Sequence, residues 1–305
     1  MTESRPLLLV DAASLYFRAY FGVPESAARA PDGSPVNAVK GFLDMLASLV
    51  RTRRPGRVAC ALDLSWRPAW RVALIDSYKR HRLAADGGEE VPAGLVPQVP
   101  LLLDVLAALG IATVGAPDYE ADDVIGTLAT HEPGPTEIAT GDRDLFQLVN
   151  DTTGVRVLYC GKGVAKLEVY DEAAVAARYH VPAHHYADFA ALRGDPSDGL
   201  PGVAGIGDKT AAGLVTRFGG LDDIVAALDK PDAPFAAGVR AKLAAATDYL
   251  AAAGPVVRVA TDAPLPEVDL TLPTAPADPD ALLALAERWN LASPIRRLVD
   301  AAAAR

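Results

Sequence analysis

The stretch from Asp118 to Asp123 sets Glu120, Asp122 and Asp123 directly before an apolar run of Val124, Ile125 and Leu128. Its residue types predict the first turn of a helix, because acids suit the positive end of the helix macrodipole. Taken alone, that is an ordinary acidic helix start on a surface. Its company changes the reading. Asp11, Asp63, the pair Asp142 and Asp144, and the pair Asp195 and Asp198 each follow an apolar run elsewhere in the chain. Two unit charges about 4 Å apart repel by roughly 4 kcal/mol at an effective dielectric near 20. Carboxylates gathered in such numbers need cations, and hard oxygen donors of this type suit Mg2+ or Mn2+. Two such ions about 4 Å apart can activate water and stabilise a leaving oxygen in phosphodiester hydrolysis. No Ser-His or Cys-His pairing stands out as a competing nucleophile, and His180, His184 and His185 read as surface or helix-cap residues.

The elements that would position these acids are legible as apolar runs. Residues 7–10, 57–62, 111–114, 136–140 and 155–159 read as short strands, with Asp11, Asp63 and Asp142 at or just past the ends of three of them. Runs without alternation suit strands buried on both faces of a parallel sheet. Helical stretches lie between them, at 13–20, at 101–109 with Gly110 as a stop, and from Leu145 onward. Alternation of this kind predicts an α/β fold with a mostly parallel sheet and flanking helices. Ligands of such sheets bind beyond the carboxyl ends of the strands, where these acids sit. From about Asp171 the texture turns helical, with helices at 184–193, 209–218, 221–228, 280–289 and 294–303 and an extended connection over 254–279. The expected division is an α/β domain over 1–175 and a helical domain over 176–305.

Two further stretches suggest a phosphate-bearing ligand. Residues 70–82 carry Arg71, Lys79, Arg80 and Arg82, with Pro68 able to open a helix. At 100° per residue, Lys79 falls about 80° and Arg82 about 20° from Arg71, so a continuous helix would put all three on one face. A solvated charge face is the plain alternative to a comb of cations over a phosphodiester. Residues 84–97 follow, with Gly-Gly-Glu-Glu and two prolines, and read as a mobile gate. The second stretch, 202–211, holds Gly202, Gly205, Gly207, Lys209 and Thr210. It lacks the spacing of a Walker loop. Its glycines and the helix start behind them suit a hairpin that grips the backbone of duplex DNA without reading bases.

The formal net charge of −10 opposes a nucleic-acid partner, since such proteins are normally basic. The nine candidate carboxylates account for −9 of it if all are ionised, and the charge a strand meets is local. Half of the 305 residues are hydrophobic, enough for a large core and about two domains. Cys60 and Cys160 follow no metal-binding spacing and read as reduced core thiols of a cytosolic protein. A polar amino terminus and the lack of a long apolar stretch point to a soluble protein without membrane contact.

In order, the motifs are Leu-Val-Asp11; Asp63 with Trp70, Arg71, Tyr78, Lys79 and Arg82; Glu120-Ala-Asp-Asp-Val; Thr140-Gly-Asp-Arg-Asp-Leu; Gly194-Asp-Pro-Ser-Asp198; and Pro201-Gly-Val with Gly205-Ile-Gly-x-Lys-Thr-Ala. Over about residues 7–270 they resemble the bacterial 5′ nucleases, the flap endonuclease family that includes the amino-terminal domain of DNA polymerase I. With no polymerase domain following, the resemblance implies a stand-alone monomer acting in the cytoplasm at the nucleoid. It implies a helical arch around 68–97 and a helix-two-turn-helix at 202–211, often with bound K+. It further implies two or three divalent cations. One would be held near Asp11, Asp63, Glu120 and Asp122, and the others by Asp142, Asp144, Asp195 and Asp198, with Asp122 a bridge and Asp123 counted among the ligands. Arg71, Lys79 and Arg82 would act at the scissile phosphate, and Arg18 would contact a phosphate. Phe17, where relatives often carry tyrosine, would stack on a base. The implied activity is structure-specific 5′ cleavage of branched or nicked DNA in replication and repair, near single-strand/duplex junctions. A junction-binding protein without the chemistry is the alternative. An Asp-x-Asp phosphatase lacks support, because Ala13 stands where the second aspartate would be.

Overall fold

In the computed structural model, residues 5–304 are described, and residues 1–4 and 305 lie outside them. At the centre of a six-stranded sheet is β1 (Leu7–Asp11), buried at every position. It pairs in parallel with β2 (Arg57–Ala61) on one side and with β4 (Thr136–Thr140) on the other. Beyond β2 lies β3 (Ala112–Val114), and beyond β4 lies β5 (Val155–Tyr159), both parallel. The last strand, β6 (Glu168–Tyr170), pairs antiparallel with β5 on the edge. It is too short to have stood out in the sequence. Strand order β3-β2-β1-β4-β5-β6 reverses direction of growth at β1 and β4. The crevice of such a sheet opens where the order reverses, beyond the carboxyl ends of those two strands.

Alternate side chains of β1 feed two cores. Leu8 and Val10 join α1 (Ala12–Gly22), α2 (Asn37–Arg53) and later α4 (Gln98–Leu109) on one face. Leu7 and Leu9 face the other side, with α5 (Ala121–His131) and the helices that follow. Between β2 and α4 lies the short α3 (Ala69–Leu74). The single basic helix expected over 70–82 is therefore not formed. Ile75 turns extended at the end of α3, Asp76 and Ser77 are turn formers, and Lys79 takes a left-handed backbone with φ 47° before one 3-10 turn at Arg80–Arg82. Residues 83–97 fold back on themselves through a bridge from Leu83 to Glu89, with Leu95 fully buried.

The helical half comprises α6 (Glu172–Tyr179), α7 (Tyr186–Arg193), α8 (Asp208–Phe218), α9 (Leu221–Leu228), α10 (Val239–Ala244) and α11 (Thr247–Val257). The connection expected from Gly254 starts later, because α11 carries Pro255 within its last turn and runs to Val257. Two closing helices, α12 (Pro279–Trp289) and α13 (Ala292–Ala303), do not belong with this half. They pack on the opposite sheet face, where Arg297 Nε reaches Asp44 of α2 at 2.8 Å. Residues 270–272 lead them there by bonding along the start of β2, with Val58 N donating to Leu270 O at 2.8 Å. The division at 176–305 thus fails at its end: the chain returns to the α/β layer. No helix among the described residues is long and apolar enough to cross a membrane.

Candidate active site

The carboxyl end of β1 places Asp11 at the reversal point, where it also caps α1. Its Oδ1 accepts from Ser14 N at 3.0 Å and its Oδ2 from Thr140 Oγ1 at 2.7 Å. Thr140 ends β4, and its hydroxyl oxygen accepts from Asp142 N at 2.9 Å. One threonine thus ties the neighbouring strand ends and their acids together. Asp63 lies just past β2 and accepts from Ala121 N, at the start of α5, at 2.8 Å. Asp11, Asp63, Glu120, Asp122 and Asp142 line one cavity of about 220 Å3, with Phe17, Lys79 and Arg82 on its wall.

Asp195 and Asp198 come from the loop after α7. Asp195 accepts from Ser197 N at 2.9 Å and opens the 3-10 turn Pro196–Asp198. Asp198 follows with a backbone oxygen that accepts from Lys79 N at 2.9 Å and a carboxylate that accepts from Arg82 at 3.0 Å. Gly199 has φ +71°, and a Cβ there would lie 2.3 Å from Ser77 O. Only glycine lets the two loops touch, and so brings Asp198 from the helical half to the basic segment.

Field effects show how close the acids lie. Burial, and then Asp63, pushes Asp11 up to about 7. Burial, then Asp142 and Asp11, holds Asp122 well above the usual carboxylate range. Asp144 is raised by burial and by Asp142, Asp198 and Asp195 in turn, and Asp198 by burial and Asp142 against the pull of Lys79. Asp142 recurs in every one of these cases and stands at the hub.

Asp123 is a correction to the expected ligand set. It is fully buried, and its carboxylate takes both terminal nitrogens of Arg71, at 2.8 and 2.7 Å. It also accepts from Glu120 N at 3.1 Å and Ala260 N at 2.8 Å. Four donors leave it no room for an ion. Arg71 is a correction for the same reason. It is 2 % exposed, bonds Glu120 Oε1 at 3.0 Å and Val256 O at 3.1 Å, and is not among the residues lining the acid cavity. Lys79 is buried against Glu120 yet still lines the cavity. Burial works against its charge, but Glu120, Tyr78, Asp198 and Asp63 more than offset that and raise its pKa. Of the three expected cations, Arg82 alone sits half-exposed at the mouth.

Arg18 donates to Gly161 O at 3.1 Å, beside Gly141. The glycine stretch forms a hairpin between α7 and α8. Gly202, at φ +68°, packs its Cα against the Arg193 carbonyl, and its N–H meets Tyr249 Oη at 3.1 Å. Gly205 is left-handed, Gly207 caps α8 in the open, and Lys209 and Thr210 fill the first turn. Trp66, Glu89 and Ser14 also line the cavity and had no expected role. Ser14 was findable, three residues into a helix capped by Asp11. Glu89 was not, since the fold-back at Leu83 brings it in.

The donor set fits divalent cations. It is all oxygen and strongly anionic, and Asp144 Oδ1 is shielded from solvent with no hydrogen-bond donor among the described residues. Among the described residues, no three His, Cys, Asp or Glu side chains stand together as a ready-made site for one ion. A stability test follows. Asp11 keeps its proton to about pH 7 in the folded chain, against 3.8 ordinarily. The folded state therefore binds more protons between those values, and its stability falls as pH rises through them. In EDTA the Tm should drop between about pH 5 and pH 7.5 by more than Asp11→Asn protein does. Mn2+ at about 100 times its Kd should restore roughly 2.7 kcal/mol at the upper pH. A Tm indifferent to Mn2+ would contradict the fit.

Comparison with known proteins agrees with this architecture. Residues 6–180 match the 5′-3′ exonuclease N-terminal resolvase-like domain, and residues 181–280 the 5′-3′ exonuclease C-terminal SAM fold. A 5′-3′ exonuclease of Streptomyces coelicolor is 56 % identical, covering 96 % of this chain and 98 % of that protein. One from Mycobacterium tuberculosis is 52 % identical over 97 % of each. DNA polymerase I of Mycobacterium bovis is 37 % identical over 98 % of this chain, which spans 32 % of that protein. Among solved structures, T5 5′-exonuclease with bound zinc aligns with a TM-score of 0.64 at 19 % identity, covering 98 % of this chain and all of that one. The catalytic core of Rad2 with DNA aligns at 0.57 and 18 %, covering 98 % and 92 %. Those two share the fold, and the profile matches with the two close relatives go further: the chain belongs to the 5′-3′ exonuclease family.

Proposed function

We propose that this chain is a structure-specific 5′ nuclease that hydrolyses DNA phosphodiesters near single-strand/duplex junctions, as replication and repair require. One observation carries it: acids from three strand ends and a helix start line a single cavity with a cationic rim, and Asp144 and Asp198, outside that lining, lie within the field of Asp142. Asp11, Asp63, Glu120 and Asp122 would hold one divalent cation, Mg2+ or Mn2+, and Asp142, Asp144, Asp195 and Asp198 another. Bound there, such ions supply Lewis-acid activation of water and charge for the leaving oxygen.

The protein's own groups do the rest. Thr140 and Ser14 fix both oxygens of Asp11. Glu120 keeps Lys79 charged at the wall, and Asp198 steers Arg82 across the mouth, where a phosphate would meet both. Phe17 offers a ring for stacking, which tolerates any base. The open N–H groups of α8 with Lys209 suit a duplex phosphate. K+ on the hairpin carbonyls would share them with Lys242, which already donates to Gly205 O at 3.0 Å. The reading has the protein working as a cytoplasmic monomer.

Incubation of a 5′-flap duplex with protein and Mn2+ or Mg2+ tests this directly. Release of short 5′ fragments, with a 5′-phosphate on the product, is expected, and failure to cut either a flap or a nicked duplex with either metal would refute the reading.

A further inference from the structure

Phe21 is the most exposed large hydrophobic residue of the described chain, at 74 %. A lone exposed ring is ordinary and needs no explanation. This one is not alone. It lies one turn beyond Phe17 on α1, about 6 Å along the helix axis. The two rings line a groove of about 540 Å3 together with His81, Arg82, Glu89 and Pro92. Phe17, Arg82 and Glu89 line both this groove and the acid cavity, so the two are continuous.

We propose that Phe21 is a second base-stacking platform, which takes the next nucleotide of the single-stranded 5′ segment after Phe17. The proposal rests on the nuclease reading above. A strand whose phosphodiester reaches the acids must leave the cavity, and this groove adjoins it directly. Spacing of about 6 Å suits bases of an extended strand, not bases stacked on each other. Arg82 offers a cation and His81 a ring nitrogen to the phosphates, while Glu89 and Glu90 repel the backbone and leave the bases for the rings. Nothing in the groove reads a particular base, so the platform would be tolerant of sequence.

The test uses the full chain and two DNAs: a 5′-flap duplex with 2-aminopurine in the first flap nucleotides, and a nicked duplex with no flap. Phe21→Ala should raise KM for the flap about tenfold with kcat little changed, lower the flap-to-nick preference by the same factor, and abolish part of the 2-aminopurine quenching. Phe21→Trp should restore both readouts. Leu283→Ala, which removes another exposed apolar side chain, on α12, should alter neither. If wild-type protein cuts and quenches the flap and Phe21→Ala does so equally, the platform is overturned and the nuclease reading stands. If wild-type protein neither binds nor cuts either DNA, both fall together.

Discussion

Asp122→Asn and Asp142→Asn should each lower flap cleavage by at least about a thousandfold while leaving DNA binding intact. Loss of an outer partner of a metal ligand typically costs 10- to 100-fold, so loss of a ligand oxygen should exceed that. The accompanying changes separate this outcome from misfolding. Asp122 is crowded by burial and by Asp142 and Asp11, which already favour its neutral form. A neutral amide of the same shape relieves that repulsion, so the variant should melt higher than wild type in EDTA. It should also bind the flap as well or better in EDTA, because one anion facing the phosphates is gone. Melting curves, anisotropy and cleavage rates on one preparation check all three. Cleavage by Asp122→Asn within tenfold of wild type would remove this carboxylate from the chemistry.

That test turns on a side chain the sequence could single out only in part. Strands were legible because buried parallel strands are unbroken apolar runs, and β4 and β5 fall on the residues their composition suggests. Acids at the ends of such strands were legible as a group, since the crevice of this sheet class lies there. Helices α8 and α9 were marked by the glycines before α8 and between the two. The long helix α2 was not among the expected elements, although it buries Val39, Phe42, Leu43, Leu46 and Val50 at near-helical spacing, an ordinary amphipathic signal. Much of what stayed hidden was non-local. Helical periodicity over 70–82 says nothing of the turn at Ile75, or of the left-handed Lys79 that the contact with Asp198 accompanies. Adjacent aspartates at 122 and 123 look alike in the sequence. On a helix they point about 100° apart, and which one meets a buried arginine depends on α3, some fifty residues earlier.

Arg71 and Asp123 should therefore behave as a pair that holds the fold. Arg71→Ala or Asp123→Ala should cost about 3–5 kcal/mol, the usual penalty for stranding one partner of a buried ion pair. The fall in Tm should be several degrees, at roughly 2–4 °C per kcal/mol for chains approaching this size. The double variant should lose much less than the sum, because neither charge is then left alone. The geometry makes the loss large. Asp123 also closes the capping box of α5 by accepting from Glu120 N, and Arg71 ties that helix start to α11 through Val256 O. With the pair gone, the first turn of α5 loosens, and Asp122 with it, so activity falls as a consequence of position. A phosphate contact would leave a different trace. Each phosphate neutralised on duplex DNA adds about 0.9 to the slope of log affinity against log salt. Arg82→Ala should reduce that slope by about one unit. A refolded, stabilised Arg71 variant should keep the wild-type slope. A shallower slope for Arg71 would return it to the strand, at the cost of the buried-pair account.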